Sequence, residues 1–189
     1  MSNQPTKDAN QTGMGIKQLS SRKITFLIII LIGLGYFFVF IAPNKTGADD
    51  ANMLSVFQHD EFAQYPHVIR MLTPGDTPYQ SLRNFVVYLH YYYGYPFYLF
   101  SALTILPVKL ILGKEWFLHT STIVAVLRQG INVFPILLSS LILTWLQTKF
   151  NTRTRSIVIF ILLISLPAVI SNNLWWHPDS LLVLFTVLT

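Results

Sequence analysis

The chain has 189 residues, of which 52% are hydrophobic and only 11% are charged, whereas soluble domains carry about a quarter charged residues. This composition indicates a membrane protein, and the lack of cysteine excludes disulfides, thiolate metal sites and a cysteine nucleophile. The net charge of +5 comes from basic residues scattered at the ends of apolar segments, as in multi-span membrane proteins, so we expect no nucleic-acid partner.

The first apolar run covers residues 24–42 and predicts a transmembrane helix. It is uncharged and long enough to cross a hydrocarbon core of about 30 Å at about 1.5 Å per residue. A signal peptide is the alternative, but its apolar region has only about 7–15 residues, which favours a retained signal anchor. Basic residues precede the run, so we expect the N-terminus in the cytoplasm. The polar residues 1–20 are expected to form a disordered tail.

The loop of residues 43–84 gathers five of the eight acidic residues, namely Asp49, Asp50, Asp60, Glu61 and Asp76. Such a cluster indicates that water, a cation or a reacting group is near. Asp49 or Asp50 is a suitable N-cap for a short amphipathic helix. Pro66 should end that helix, because proline lacks an N–H and clashes with the preceding turn. We expect the helix to lie on the outer membrane face with Asp60 and Glu61 at its far end.

The later apolar segments are less regular. Residues 85–108 are interrupted by His, Gly and Pro and contain tyrosines of the kind found at a lipid–water boundary. Such a composition favours a broken or re-entrant segment. Two further spans are predicted at 123–148 and 156–176. The apolar residues 180–189 make only about half a crossing, so we expect the chain to be the N-terminal part of a longer protein.

Two membrane topologies fit these segments. If 85–122 makes no net crossing, the basic loop 149–155 is cytoplasmic, and the polar residues after 156–176 reach the outer face beside the acidic loop. If 85–108 does cross, loop 149–155 lies outside and the two acidic motifs lie on opposite faces. The prolines and the crowded tyrosines favour the first arrangement.

Asp60 and Glu61 are the strongest candidates for chemistry. A carboxylate that is partly dried beside a membrane can take a proton from an attacking hydroxyl, as a general base does. A second carboxylate beside it can help to hold a divalent cation. The alternative interpretation is a solvated polar end of a surface helix, with no chemical role.

Five further residues are candidates for substrate binding. His177 and Asp179 lie at the mouth of the last predicted span, where the alternative is an interface turn in which Asp179 caps the next helix. His90 lies in an apolar run, where an ionisable group indicates function, although a neutral histidine among interfacial tyrosines is common. Arg70 and Arg83 are candidate phosphate partners, because guanidinium binds phosphate bidentately, or simply charges in a wet loop. No metal ligands are assigned, since no zinc-binding histidine pair is present.

The order of these motifs resembles that of the GT-C membrane glycosyltransferases, in particular the protein O-mannosyltransferase and lipid A aminoarabinose transferase group. That group has a short cytoplasmic N-terminus, one span and an outer loop with Asp-Glu, Met-Leu and Gly-Asp in order. The pairs in this chain are Asp60-Glu61, Met71-Leu72 and Gly75-Asp76. A Tyr/Pro-rich segment, an arginine at a span start, a basic inner loop and an outer Pro-Asp follow, here residues 93–98, Arg128, 149–155 and Pro178-Asp179.

The resemblance implies an all-α, polytopic transmembrane helical bundle in the plasma membrane. Residues 21–189 would be the N-terminal part of the GT-C-like domain, and 43–84 would be its catalytic loop on the outer face. The implied reaction moves a sugar from a polyprenyl-phosphate donor to a hydroxyl of a protein, lipid or glycan acceptor. Asp60 would be the base that activates that hydroxyl.

Two points qualify what the resemblance implies. The group often has a lysine for the donor phosphate before the Tyr/Pro-rich segment, but this chain has none between Lys45 and Lys109; His90 or Arg83 would replace it. No cofactor is assigned, and a divalent cation is compatible with the paired carboxylates.

The alternative functions are a transporter subunit, which the uncharged spans disfavour, and a non-catalytic multi-pass membrane protein, which leaves the motif series without a role.

Overall fold

The computed structural model of the protein describes residues 8–87 and 92–189, and every regular element within them is helical. The expected all-α class is therefore confirmed for this part of the chain. Short 3-10 turns form at Pro43–Lys45 and Gly113–Leu118, and a π-helical turn, Gln129–Val133, joins the sixth helix to the seventh. The helices are α1 Asp8–Val39, α2 Ala51–Phe57, α3 His59–Leu72, α4 Pro78–Val86, α5 Gly94–Leu112, α6 Thr120–Arg128, α7 Phe134–Thr148, α8 Arg153–Ile164, α9 Pro167–Asn172 and α10 Asp179–Leu188.

Helix α1 begins at Asp8, so residues 8–20 are helical, although the sequence predicted a disordered tail there. Extending an existing helix is far easier than nucleating one, and the apolar run provides the nucleus. Farther along α1, Leu27, Leu31 and Val39 remain more than half exposed. A surface of this kind is unfavourable in water and suits contact with lipid.

Three helical segments of the described chain are long and apolar enough to cross a membrane, namely Ser21–Lys45, Gly94–Leu118 and Thr120–Thr148. The protein therefore has the helices expected of a membrane protein. The span predicted at 156–176 is not one helix, because Leu166 is extended, with a ψ of 131°. The ring of Pro167 disfavours helical backbone at the residue before it, and this segment divides into α8 and α9.

Helices α1 and α7 run antiparallel, which gives the bundle two distinct ends. At one end, Gln129 Nε2 donates to the carbonyl oxygen of Phe37 at 3.2 Å. At the other end, Arg22 Nε donates to Asn151 Oδ1 at 2.7 Å. We call this second end the basic end, because it carries Arg22, Lys23, Lys149, Arg153 and Arg155. The opposite one is the acidic end, which carries Asp60, Glu61 and Asp179.

Helices α8 and α9 lead the chain from the basic end back to the acidic end. The hydroxyl of Tyr36, near the end of α1, donates to the carbonyl oxygen of Ile164 at 2.9 Å. Asn173 Nδ2, just after α9, donates to the same hydroxyl oxygen at 3.0 Å. The residues after α9 therefore lie beside the segment that follows α1, and the two acidic motifs share one end of the bundle.

The segment 85–108, which the sequence predicted to be broken, is not one helix, because α4 ends at Val86 and α5 begins at Gly94. From Gly94 onward, α5 is continuous. Pro96 falls in its first turn, where a missing N–H loses no helical hydrogen bond. Both ends of α5 lie against α3. Tyr93, just before α5, shares a cavity with the first turn of α3, and Lys109 Nζ donates to the carbonyl oxygen of Leu72 at the end of α3. Although α5 is long and apolar enough for a span, these contacts align it with α3 at the acidic end.

The loop between α1 and α5 differs in part from its prediction. Asp50 caps α2 as expected, because its carboxylate accepts a 2.8 Å hydrogen bond from the third helical N–H. Helix α3 does not end at Pro66 but continues for six residues beyond it, and Asp60 and Glu61 lie in its first turn rather than at a far end. Apolar residues beyond the proline are buried in the main core, and this packing offsets the lost hydrogen bond.

Candidate active site at the acidic end of the bundle

Glu61 and Arg128 form a buried bidentate ion pair. Arg128 Nε donates to Glu61 Oε1 at 2.8 Å, and Nη2 donates to Oε2 at 2.6 Å. The two side chains are 1% and 0% exposed. A buried charge is tolerated when a partner of opposite charge and further hydrogen bonds satisfy it. Glu61 is thus held in one orientation in the first turn of α3.

The remaining donors and acceptors of this pair bind two other segments. Arg128 Nη1 donates to the carbonyl oxygens of Asn44 and Thr46 at 2.9 and 3.0 Å, which fixes the turn after α1. Glu61 Oε1 also accepts the main-chain N–H of Trp176, at 2.5 Å. The ion pair therefore joins α3, α6, the turn after α1 and the segment that precedes α10. The ion pair thus positions these four parts of the chain relative to one another.

The segment 173–178 is held by a second set of contacts. Asn132, in the π-helical turn, donates through Nδ2 to the carbonyl oxygens of Asn172 and His177, both at 3.2 Å. Its Oδ1 accepts the N–H of His177 at 3.3 Å. Trp176 stacks on Phe97 with ring centroids 5.3 Å apart. These contacts fix the backbone on both sides of His177, as a preorganised site requires.

Asp60 is exposed and faces a small cavity, in contrast to its neighbour Glu61. The cavity has a volume of about 220 Å³ and is lined by Asp60, Ala63, Gln64, Tyr92 and Tyr93. Gln64 is completely buried and follows Asp60 by four residues, so that both lie on one face of α3. A carboxylate in this position is open to a ligand while its helix is anchored by the ion pair one residue away.

Tyr93, which lines the cavity with Asp60, also contacts His177. The rings of Tyr93 and His177 have centroids 5.0 Å apart. Burial raises the pKa of Tyr93 above its ordinary value, and the negative charges of Asp60 and Asp179 raise it further. Tyr93 therefore stays protonated near neutral pH and keeps an O–H donor close enough to feel the charge of both carboxylates.

His177 and Asp179 also approach each other directly. Nδ1 of His177 lies 3.1 Å from Oδ1 of Asp179, although the approach lies off the hydrogen-bond direction. The contact becomes an ion pair when the imidazole is protonated. Asp179 is the first residue of α10, and Pro178 occupies the N-cap position without a side-chain cap. Asp179 therefore does not occupy the N-cap position of α10, and its role in substrate binding stays a prediction.

The other predicted site residues are not brought to this cavity. Arg70 lies in the last turn of α3, about 15 Å along the helix from Asp60, and lines a different cavity with Tyr65 and Asn84. Arg83 is exposed near the end of α4. His90 lies outside the described residues. The structure thus places Asp60, Glu61, His177 and Asp179 together and leaves Arg70 and Arg83 apart from them.

Sequence reasoning missed several parts of the site. The sequence identifies Arg128 only as an arginine at the start of a span, but it is 1% exposed and paired with Glu61. A buried arginine in an apolar run needs a counter-charge, which was a usable signal. The i, i+4 spacing of Gln64 from Asp60 was another. No sequence pattern marks Asn132 or its π-helical turn.

The metal chemistry of the acidic end is limited by these contacts. Among the described side chains, no group of three or more His, Asp or Glu residues is placed to hold a metal ion. Both oxygens of Glu61 are already engaged with Arg128, and one also accepts from Trp176. A cation held jointly by Asp60 and Glu61 would have to displace those bonds.

No protein-family model, curated protein or solved structure matches this chain. Its function must therefore be inferred from the chemistry of the acidic end and from the order of its motifs. The resemblance to the GT-C glycosyltransferases remains a prediction.

Proposed function

We propose that this protein is an integral-membrane transferase that moves a sugar from a polyprenyl-phosphate carrier to an acceptor hydroxyl. The observation that carries the proposal is the contrast between Asp60 and Glu61. Asp60 is open to a cavity, whereas Glu61 is buried and fixed by Arg128. A general base needs free oxygen lone pairs and a fixed position, and this arrangement supplies both.

The chemical role of Asp60 is to take the proton of the acceptor hydroxyl as that oxygen attacks the anomeric carbon. The bond from this carbon to the carrier phosphate breaks, and the phosphate leaves with the electron pair. A single displacement of this kind inverts the anomeric centre. His177, whose Nδ1 lies 3.1 Å from Asp179, would donate a hydrogen bond that stabilises the growing charge on the leaving phosphate. Arg70 and Arg83 remain alternative phosphate partners at a greater distance from the base.

The membrane arrangement that we propose puts the acidic end at the outer face of the plasma membrane. The basic end would then face the cytoplasm, as the excess of Lys and Arg in its short loop favours. Supporting this, α1 and α7 are antiparallel and both ends of α5 lie against α3. Segment 85–122 would then make no net crossing, and the multi-pass chain would present both acidic motifs to one compartment.

The first test compares wild type with Asp60→Asn in membranes supplied with a mixed pool of polyprenyl-phosphate sugars. Loss of each donor is followed by mass spectrometry. We expect Asp60→Asn to slow donor consumption by about 10²–10⁴-fold, the usual contribution of a general base. Asp49→Asn is the matched control, because Asp49 lines a separate cavity and its loss should leave the rate unchanged. An unchanged melting temperature for Asp60→Asn would exclude unfolding, and wild-type turnover by this variant would overturn the proposal.

A further inference from the structure

Gln64 is an unusual side chain in the cavity beside Asp60. It is 0% exposed, and within the described part of the chain neither its Oε1 nor its Nε2 has a hydrogen-bond partner. A buried amide without partners is destabilising by about 1–3 kcal/mol, so buried polar groups are nearly always paired in folded proteins. Gln64 lines the cavity next to an open carboxylate, and an unpaired amide behind such a wall indicates a ligand that completes its hydrogen bonds on entering.

We propose that Gln64 is the recognition group of a subsite for one sugar ring, in which it hydrogen-bonds two ring hydroxyls. This inference rests on the proposed function and names the ligand class of that same cavity. A glutamine amide offers an acceptor oxygen and a donor nitrogen side by side. Adjacent hydroxyls of a sugar offer a matching donor and acceptor.

The rest of the cavity wall favours a neutral polyhydroxylated ligand. Among the described residues, its lining includes the Asp60 carboxylate and no Lys, Arg or His, so an anionic group is disfavoured beside these side chains. Tyr92 is 84% exposed at the cavity and presents an aromatic face. The weakly positive C–H groups of a sugar ring pack against the negative face of such a ring.

The size of the cavity fits a single ring. Its volume is about 220 Å³. Sites for drug-sized ligands occupy about 300–1,000 Å³, so a longer glycan would have to extend out of the opening. The carrier phosphate would lie outside this wall, where it avoids the charge of Asp60.

The test uses Gln64→Leu, which keeps the approximate volume of the side chain and removes the amide. Gln58→Leu is the matched control, because Gln58 precedes the same helix and does not line the cavity. The purified chain in lipid nanodiscs is titrated with two kinds of probe, and binding is measured by the shift in melting temperature. The first kind is neryl phosphate that carries mannose, glucose or arabinose. The second is the methyl glycoside of each sugar, which has no phosphate carrier.

We expect Gln64→Leu to weaken binding of at least one probe about tenfold, the effect of losing one or two hydrogen bonds, while Gln58→Leu leaves it unchanged. Weaker binding of neryl-phosphate sugars alone would identify the donor sugar as the ligand. Weaker binding of methyl glycosides would identify a carbohydrate acceptor. The deoxy-sugar that lacks the contacted hydroxyl should bind Gln64→Leu and wild type equally well.

The same variant gives an independent result without ligand. If the amide is unpaired in the free protein, Gln64→Leu should raise the melting temperature, because an apolar side chain replaces a buried polar one. A lower melting temperature would mean that Gln64 has a structural partner and would overturn the inference. Unaltered probe binding by Gln64→Leu would also overturn the inference, as would the absence of any probe binding by wild type. Binding through Gln64 in a protein that consumes no donor would overturn the proposed function and leave this inference intact.

Discussion

The main-chain N–H of Trp176 donates to the carboxylate of Glu61 at 2.5 Å, across 115 residues of the chain. Asp60 adjoins Glu61 in the sequence, and His177 adjoins Trp176. One hydrogen bond therefore sets the distance between the two polar halves of the proposed active site. Because Arg128 holds the same carboxylate, the geometry of the site depends on the ion pair as well.

Removing Arg128 should destabilise the protein strongly. Arg128→Ala leaves the Glu61 carboxylate buried without its counter-charge, and breaking such a pair costs about 3–5 kcal/mol. We expect a clearly lower melting temperature in detergent or nanodiscs. Arg128→Lys should recover only part of it, since a lysine cannot form two parallel bonds. The exposed Arg83→Ala is the control and should change stability by no more than about 0.5 kcal/mol. Equal stability of Arg128→Ala and wild type would show that the pair does not hold the site together.

Gly130, in the π-helical turn, should not tolerate a larger residue. A Cβ added there would lie 2.3 Å from Thr104 Cγ2 on α5, far inside normal contact. We expect Gly130→Ala to lower the stability by about 1–3 kcal/mol through overpacking. Adding Thr104→Ser removes the clashing methyl group and should restore most of the loss, as measured by thermal unfolding.

Gly35→Ala provides the contrast for that experiment. Nothing lies within 4 Å of a Cβ at Gly35, so this change should be neutral or stabilise α1 by about 0.5–1 kcal/mol. If Gly130→Ala behaved like Gly35→Ala, the close approach of α5 to the π-helical turn would be wrong.

The parts of this fold that the sequence predicted are those with a local cause. The uncharged run of α1 predicts its own helix, and Asp50 caps α2 through a bond to a residue three positions later. The path of α3 through Pro66 was missed, because the packing that compensates the proline involves residues distant in the sequence. The same reason hid the pairing of Glu61 with Arg128, whose positions differ by 67 residues.

The sequence predicted which residues belong to the candidate site better than it predicted what each of them does. Asp60 and Glu61 were predicted as paired carboxylates of the outer loop, and His177 and Asp179 as polar groups at the mouth of a span. The structure places these four residues at one end of the bundle. The difference in exposure between Asp60 and Glu61 could not be predicted from their adjacent positions in the sequence, because it depends on which face of α3 meets the core. Turning successive residues by about 100° puts Glu61 inside and leaves Asp60 at the cavity.

The titration of Tyr93 offers a test of its proximity to Asp60. Its pKa is raised by burial first and then by the charge of Asp60. Asp60→Asn removes that charge, so the tyrosinate should form at lower pH than in wild type. The measurement is near-ultraviolet absorbance during alkaline titration, with the corresponding Tyr93→Phe protein subtracted from each.

The raised pKa of Tyr93 also determines how the stability of the folded protein changes with pH. The folded protein holds the Tyr93 proton more tightly than the unfolded chain does, so this stabilisation is complete below the pKa of free tyrosine. It is lost as the pH rises through the folded pKa. Asp49→Asn should leave the titration of Tyr93 unchanged, because Asp49 lines another cavity. If the titration of Tyr93 is unchanged in Asp60→Asn, the charge of Asp60 does not act on the Tyr93 hydroxyl.

The membrane topology can be tested by thiol labelling, because the natural chain has no cysteine. Single cysteines are introduced at the exposed positions Glu115, between α5 and α6, and Thr154, in the basic loop. In intact cells treated with a membrane-impermeant maleimide, we expect Glu115→Cys to be labelled and Thr154→Cys to be protected. Both should react after the cells are permeabilised, which controls for accessibility.

A third cysteine, Asp76→Cys, reports on the loop before α4. If 85–122 makes no net crossing, Asp76→Cys and Glu115→Cys lie on the same face and should label together. If α5 crosses the membrane, as its length and apolar composition allow, the label at one of them would be lost. Labelling of Thr154→Cys from outside would place the basic end at the outer face, and a carrier-linked donor at that face could not then reach Asp60.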